Sequence, residues 1–358
     1  MRKKHKPNPE RQLRKKNYIA QMKETIAQNT LAIEQDPNNA EAYMERAIAR
    51  NIKGDRKGAL DDLNHVVELQ PDNTEALRRM GYIKMRLNDH RGSIEVLTRA
   101  IAINPDDYDY YYTRGYALLK TGEVQDAIDD LSKVIDLNPH FEEAWYWRGV
   151  AKTHLGDSYG AIKDFDTALE HNPRFVEVYF KRGIEKTKLN DYQGAIDDYD
   201  QTLKQNRRFT EVYFYRAVAK FDNEDYLGAI ADNSKDLEFD PKCHETYFNR
   251  AMSKAELGDL AGAIVDFQKV LELHPDFEDT HTQIGKCRYH LREYESALDE
   301  FTHDVEHRPT DPSPFIHRAI LRLELGDKYS ACKDLRKAAQ LGNKKAQYIL
   351  EDVENEDD

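Results

Sequence analysis

Apolar positions along this chain come in short bursts spaced three and four residues apart, the period of a helix with one buried face, and the bursts stop every fifteen residues or so at Gly, Asn, Asp or Pro. Laid over itself, the pattern repeats. A small residue returns every 34 positions, at Ala47, Gly81, Gly115, Gly149, Gly183, Ala217, Ala251, Gly285 and Ala319. Counted from seven residues before each of these, nine units begin at Ala40, Thr74, Tyr108, Glu142, Val176, Thr210, His244, Glu278 and Pro312, each encoding two helices and a turn.

Within a unit, position 4 is bulky (Tyr43, Tyr111, Trp145, Tyr179, Tyr213, Tyr247, Phe315), one turn before the small residue at position 8, which lets the partner helix approach. Position 15 is Gly or Asn in Gly54, Asn88, Gly122, Gly156, Asn190, Gly258 and Gly326, where a left-handed residue ends the first helix at low cost. Asp55, Asp89, Asp157, Asp191, Asp225, Asp259 and Asp327 come next, placed to accept N–H groups at the start of the second helix. That helix carries a small residue at position 20, as in Ala59, Ala127 and Ala161, and a proline at position 32, as in Pro71, Pro105 and Pro139, stops it. Arg207 in place of the proline, and His281 with Arg292 in the eighth unit, depart from the pattern and blur the boundaries there.

Position 7 is Arg and position 23 Asp in the same seven units: Arg46, Arg114, Arg148, Arg182, Arg216, Arg250 and Arg318 match Asp62, Asp130, Asp164, Asp198, Asp232, Asp266 and Asp334. The second unit loses both together, to Met80 and Val96. Joint loss is the mark of a partly buried ion pair, where removing one partner costs about 3–5 kcal/mol and replacing both can be neutral. The eighth unit, with Ile284 and Glu300, breaks the rule.

With its 34-residue period, aromatic at 4, Gly or Ala at 8, Ala at 20 and Pro at 32, the stretch 40–345 resembles the tetratricopeptide repeat family. The resemblance implies an all-α, right-handed superhelical solenoid of about nine 34-residue helix-turn-helix units with flanking capping helices. It further implies a protein-interaction scaffold or adaptor whose concave groove is lined by first-helix positions 2, 5, 9, 12 and 13. On that basis Tyr112, Tyr146, Phe180, Phe214 and Phe248 at position 5, with Tyr116 at position 9, are the candidate partner-binding residues. The acidic series at position 2, from Glu41 and Glu75 to Glu245 and Asp279, complements the helix N-termini and could also rim the groove in favour of a basic partner. Members that clamp a chaperone's C-terminal carboxylate carry Lys and Asn at positions 2, 5, 6 and 9, whereas here position 2 is mostly acidic and position 5 aromatic or aliphatic, which sets that subtype aside. In the sixth unit Asn233 and Asp236 fall at positions 24 and 27, which are otherwise mostly apolar, and read as a weakly packed joint.

Outside the repeats, residues 1–16 form a basic, disordered arm, 17–39 an N-terminal capping helix, 344–353 a C-terminal capping helix and 354–358 an acidic tail. A net charge of -13 disfavours a nucleic-acid binder, although the basic arm leaves a nucleic-acid adaptor as one alternative. Acidity and aromatic strip together point to a protein or peptide ligand, basic or apolar, and admit a homo-oligomer. Cys243, Cys287 and Cys332 are too few and too far apart for a disulfide framework or zinc motif, and no run is apolar enough to cross a membrane, which leads us to expect a cytoplasmic protein. One catalytic string is present. His303, Glu306 and His307 match the H-x-x-E-H pattern of inverted zinc peptidases, so a zinc hydrolase is the enzymatic alternative. His171 at the same position as His307, and the place of the motif on the last turns of an ordinary second helix, favour the reading of no enzyme, no catalytic residues, no metal and no cofactor.

Overall fold

The computed structural model describes the backbone of residues 9–277 and 279–355, and side chains from residue 17 onward within those limits. The described residues form twenty α-helices and fall into two compact units, Met1–Glu185 and Lys186–Asp358, with the division inside α10. In the first unit run α1 (Pro9–Gln35), α2 (Ala40–Lys53), α3 (Arg56–Leu69), α4 (Thr74–Arg86), α5 (His90–Ile103), α6 (Tyr108–Thr121), α7 (Val124–Leu137), α8 (Glu142–His154), α9 (Ser158–His171) and most of α10 (Val176–Lys188). The second holds the end of α10, then α11 (Tyr192–Gln205), α12 (Glu211–Asp222), α13 (Tyr226–Phe239), α14 (His244–Glu256), α15 (Leu260–Leu273), α16 (Thr280–His290), α17 (Tyr294–His307), α18 (Pro312–Glu324), α19 (Lys328–Gln340) and α20 (Lys344–Asn355).

Local chemistry sets the helix ends. All seven aspartates expected as caps accept a hydrogen bond from the N–H three residues on, for example Asp157 from Gly160 and Asp259 from Gly262. The seven Gly and Asn residues at position 15 all have positive φ, from 62° at Asn88 to 91° at Gly54. Glu224 and Arg292 are held in the same left-handed conformation at the same position, where the sequence lacks the usual Gly or Asn. Close approach of the paired helices is equally demanding. A Cβ on Gly149 would lie 2.6 Å from Cε1 of Phe165, which is fully buried.

Three ends differ from the sequence reading. Helix α1 begins at Pro9 rather than Asn17, so half of the expected basic arm is helical; residues 1–8 lie outside the described residues. Proline suits a first helical position, and Glu, Arg, Gln, Leu and Lys follow it, all good helix formers that carry no apolar stripe to reveal them. Helix α16 starts only at Thr280, after Asp279 in a left-handed conformation, and α20 extends to Asn355; the acidic tail beyond it lies outside the described residues.

The arginine at position 7 does more than pair. Arg114 Nε and Nη2 grip Asp130 at 2.8 and 2.7 Å, while Nη1 reaches back 3.0 Å to Oγ1 of Thr98 on the preceding hairpin. Arg148 repeats this with Asp164 and Ser132, Arg250 with Asp266 and Ser234, and Arg318 with Asp334 and Thr302. Each guanidinium also lies over the ring at position 4, from 4.8 Å at Trp145 to 6.0 Å at Phe315. A second cation at position 11 completes most sites, as Arg50 does for Asp62, Lys152 for Asp164, Lys254 for Asp266 and Arg322 for Asp334. Asp130 has Leu118 there instead. Its burial, the largest influence, pushes the carboxyl above the usual range against the pull of Arg114. In the second repeat Met80 and Val96 are buried in the apolar cluster where the pair would be, and in the eighth Glu300 takes His281 (2.6 Å) and Arg288 (3.5 Å) instead.

Three tests follow from this frame. Arg148→Ala should lower unfolding free energy by about 3–5 kcal/mol in urea titration, and Arg148→Met with Asp164→Val should recover most of that loss, copying the second repeat. Glu224→Gly should stabilise by about 1 kcal/mol, because it relieves a left-handed glutamate; a midpoint that stays put or falls counts against strain at this turn. His317 stacks on Phe301, and burial pushes its imidazole down to about 4. Folding therefore favours the neutral ring, so stability is complete above about pH 6.5 and declines as pH falls toward 4. His317→Gln should show a smaller stability loss between pH 7 and pH 5 than the native chain.

Candidate functional site

The position-5 residues occupy the middle of each first helix, and the structure divides them. In the first unit Tyr146 and Phe180 are buried, Tyr146 among Trp147, Phe165 and Phe175. Tyr112 and Tyr116 keep part of their surface in solvent. Burial, the largest influence, and the nearby Glu143 push the Tyr112 hydroxyl up to about 12, so it is a neutral hydrogen-bonding group at any physiological pH. Tyr116 meets Trp147 edge to face at 4.7 Å, and that tryptophan, at position 6, was not among the candidates.

Another set of residues missed from sequence sits at position 34, the last of each unit. Phe141 covers Tyr112 at 4.9 Å, Phe175 covers Tyr146 at 4.9 Å, and Phe277 covers Phe248 at 5.3 Å. Each position-5 ring thus has an aromatic lid delivered by the turn into the next hairpin. At Phe214 the lid position holds Cys243, a free thiol too small to cover the ring. A pocket of about 630 Å³ opens there, within the second unit, between the start of α12, the end of α13 and the start of α14. Phe214 and Tyr215 stand edge to face at 5.6 Å on one wall, and Phe239, 51% exposed, forms another. The run Phe141, Phe175, Phe209, Cys243, Phe277 at position 34 was the sequence signal for it.

In the first unit a smaller pocket of about 260 Å³ lies between α2 and α4, lined by Ile48, Asn51, Leu63, Arg79 and Tyr82 among others. Glu75 holds two arginines of α4, Arg78 at 2.8 Å and Arg79 at 2.7 Å, and although partial burial opposes it, those contacts draw its carboxyl below the ordinary value. The remaining position-5 residue of the strip, Phe248, is half-buried against Phe267 and Phe277.

The H-x-x-E-H string does not gather into a metal centre. His303 and His307 stack face to face at 4.0 Å, Nδ1 of His307 is tied to the carbonyl of His303, and Glu306 is exposed. His281 stacks on the other side of His303 at 3.8 Å. Among the described residues no three His, Cys, Asp or Glu side chains are grouped to hold a metal ion. Nor, among them, is any helix long and apolar enough to cross a membrane.

Comparison with known proteins agrees with this architecture. Tetratricopeptide repeat models match residues 78–140, 112–174 and 180–242, and a second model of the same description matches 245–276, together more than half of the chain. Among solved structures, a tetratricopeptide repeat protein from Parabacteroides merdae is 22% identical with a TM-score of 0.51, covering 69% of this chain and 98% of its own. Pseudomonas aeruginosa pilF is 16% identical with a TM-score of 0.51 over 61% of this chain and 97% of its own. MamA is 24% identical over 48% of this chain and 94% of its own, with a TM-score of 0.45. No curated protein gives a significant match. With tandem helix hairpins, their left-handed turns and aspartate caps, and repeat models over most of the hairpins, the chain belongs to the tetratricopeptide repeat family.

Proposed function

We propose that this protein is a protein-interaction scaffold that takes a peptide or a segment of a protein against the position-5 and position-9 faces of its first helices. The observation that carries the reading is the uncovered Phe214. At three other hairpins the fold closes an aromatic lid over the equivalent ring, and here it leaves a pocket of about 630 Å³ large enough for a side chain. Tyr112 and Tyr116 in the first unit, and Phe248 in the second, offer further part-exposed aromatic surface of the kind that supplies binding hot spots. Tyr146 and Phe180 act in this reading as the packed support beneath that surface, because each is already buried by its own neighbours.

A random peptide library displayed against the full-length chain tests this. Selected peptides should bind in fluorescence anisotropy, and Phe214→Ala, or Tyr112→Ala with Tyr116→Ala, should weaken them roughly tenfold while helical circular dichroism is retained. Failure to enrich any peptide, or affinities indifferent to both variants, would remove the first-helix face as the binding surface.

A further inference from the structure

The pocket at Phe214 has a charge imbalance found at no other buried aspartate among the described residues. Nine described residues line it; four are the acids Glu211, Asp236, Asp240 and Glu245, and none is basic. Three of these acids are exposed, but Asp236 is 9% exposed. Burying a carboxylate is costly, and elsewhere the chain meets that cost with a cation: Asp62, Asp130, Asp164, Asp198, Asp232, Asp266, Asp304 and Asp334 each have an Arg or Lys within 3.5 Å.

Asp236 has none. Its described partner is neutral, the hydroxyl of Thr246, which donates to Oδ2 at 2.7 Å. The contrast with Asp304 is direct, since both stand at position 27 of their repeats. Asp304 accepts from both the backbone N–H and the hydroxyl of Thr282 and lies 3.5 Å from Arg308. None of the basic groups nearest in sequence lines the pocket or pairs with Asp236: Lys235 pairs with Glu238 and lies over the outer wall at Phe239, His244 faces Glu245 at 3.3 Å, and Lys242 is exposed. Burial raises the Asp236 carboxyl above its ordinary value, with Thr246 opposing and Asp240 adding to the rise, and no cation acts against it as Arg114 does at Asp130.

We propose that this pocket receives the cationic side chain of a lysine or arginine from a partner segment, so that the ligand supplies the counter-charge the fold gives to every other buried aspartate. The assignment rests on the reading of the first-helix face as a peptide-receiving surface, and it specifies the chemistry of what enters. Phe214, Tyr215 and Phe239 suit such a side chain, because a cation with an alkyl stem gains both from π faces and from apolar contact. The C-terminus of α13, ending at Phe239, points its partial negative charge the same way. Asp236, one of the two polar residues that looked from sequence like a weakened joint, becomes part of the lining of a binding site.

The test is backbone amide NMR of the full chain titrated with three probes: Nα-acetyl-lysine methylamide, the arginine equivalent, and the norleucine equivalent as a neutral isostere. Amides of Phe214, Phe239, Asp240 and Glu245 should shift saturably with a basic probe and not with norleucine. Asp236→Asn, which keeps the acceptor for Thr246, should weaken binding roughly tenfold, whereas Asp61→Asn, at an exposed position of the first unit outside the pocket lining, should not. If Asp236→Asn perturbs the fold, Glu211→Gln with Asp240→Asn alters exposed side chains only and should weaken binding several-fold by the same logic.

Equal shifts from norleucine, or binding unchanged in the charge variants, overturn the assignment. So does saturable binding of Ca²⁺ at these amides that survives Phe214→Ala, because the site would then be a carboxylate cluster for a metal ion. The two readings fail separately. Selected peptides that depend on Phe214 but carry no basic residue sink the cation pocket alone, and a library that yields no binder sinks the groove while the amino-acid probes still report on the pocket.

Discussion

Fold and stack depend on one guanidinium used three ways. The arginine at position 7 lies on the aromatic ring one turn before it, forks onto the aspartate of its own second helix, and reaches a hydroxyl or carboxylate of the hairpin before. A planar group with five donors can satisfy all of these from one rotamer, and lysine could not. The rest follows from holding two helices that close: Gly or Ala at position 8, because a larger residue would strike the facing side chain of the second helix, and an aspartate cap that begins the second helix within one residue of the turn.

Much of this was legible because repetition turns one chain into its own alignment. The helix-ending Gly and Asn residues, the seven aspartate caps and the Arg–Asp pairing could each be read as columns, and loss of Arg and Asp together at Met80 and Val96 revealed the contact before any coordinate did. What stayed hidden was relational. Leu118 in place of the position-11 cation means nothing until that side chain is seen to serve the same aspartate. Phe141, Phe175 and Phe277 look like loop hydrophobics until they are found lying on the position-5 rings. The first two turns of α1 were invisible for a different reason, since Glu10 to Lys16 builds helix from propensity without an apolar stripe.

The candidate site shows how a repeat acquires function by omission. An ordinary hairpin in this chain covers its position-5 ring and neutralises its buried acid. In the sixth, Cys243 is too small to cover and Asp236 arrives without a cation, so the same backbone presents an opened ring beside an unmatched charge. The cap between the two helices of this hairpin is kept, with Asp225 accepting from the N–H of Gly228.

The backward reach of the position-7 arginine also decides where this chain could be shortened. In a one-dimensional stack the stability of a hairpin and that of its junction with the next are separable quantities, but a guanidinium bound to both makes them one. A cut ahead of Arg114, Arg148, Arg250 or Arg318 would strand Nη1 and uncover the aromatic ring beneath it. Ahead of the first repeat, Thr30 of α1 serves Arg46 as Thr98 serves Arg114. Helix α1 therefore does for the first repeat what each hairpin does for the next, and the arginine-free junctions, at Met80 and Ile284, are where the stack could begin anew without stranding a guanidinium.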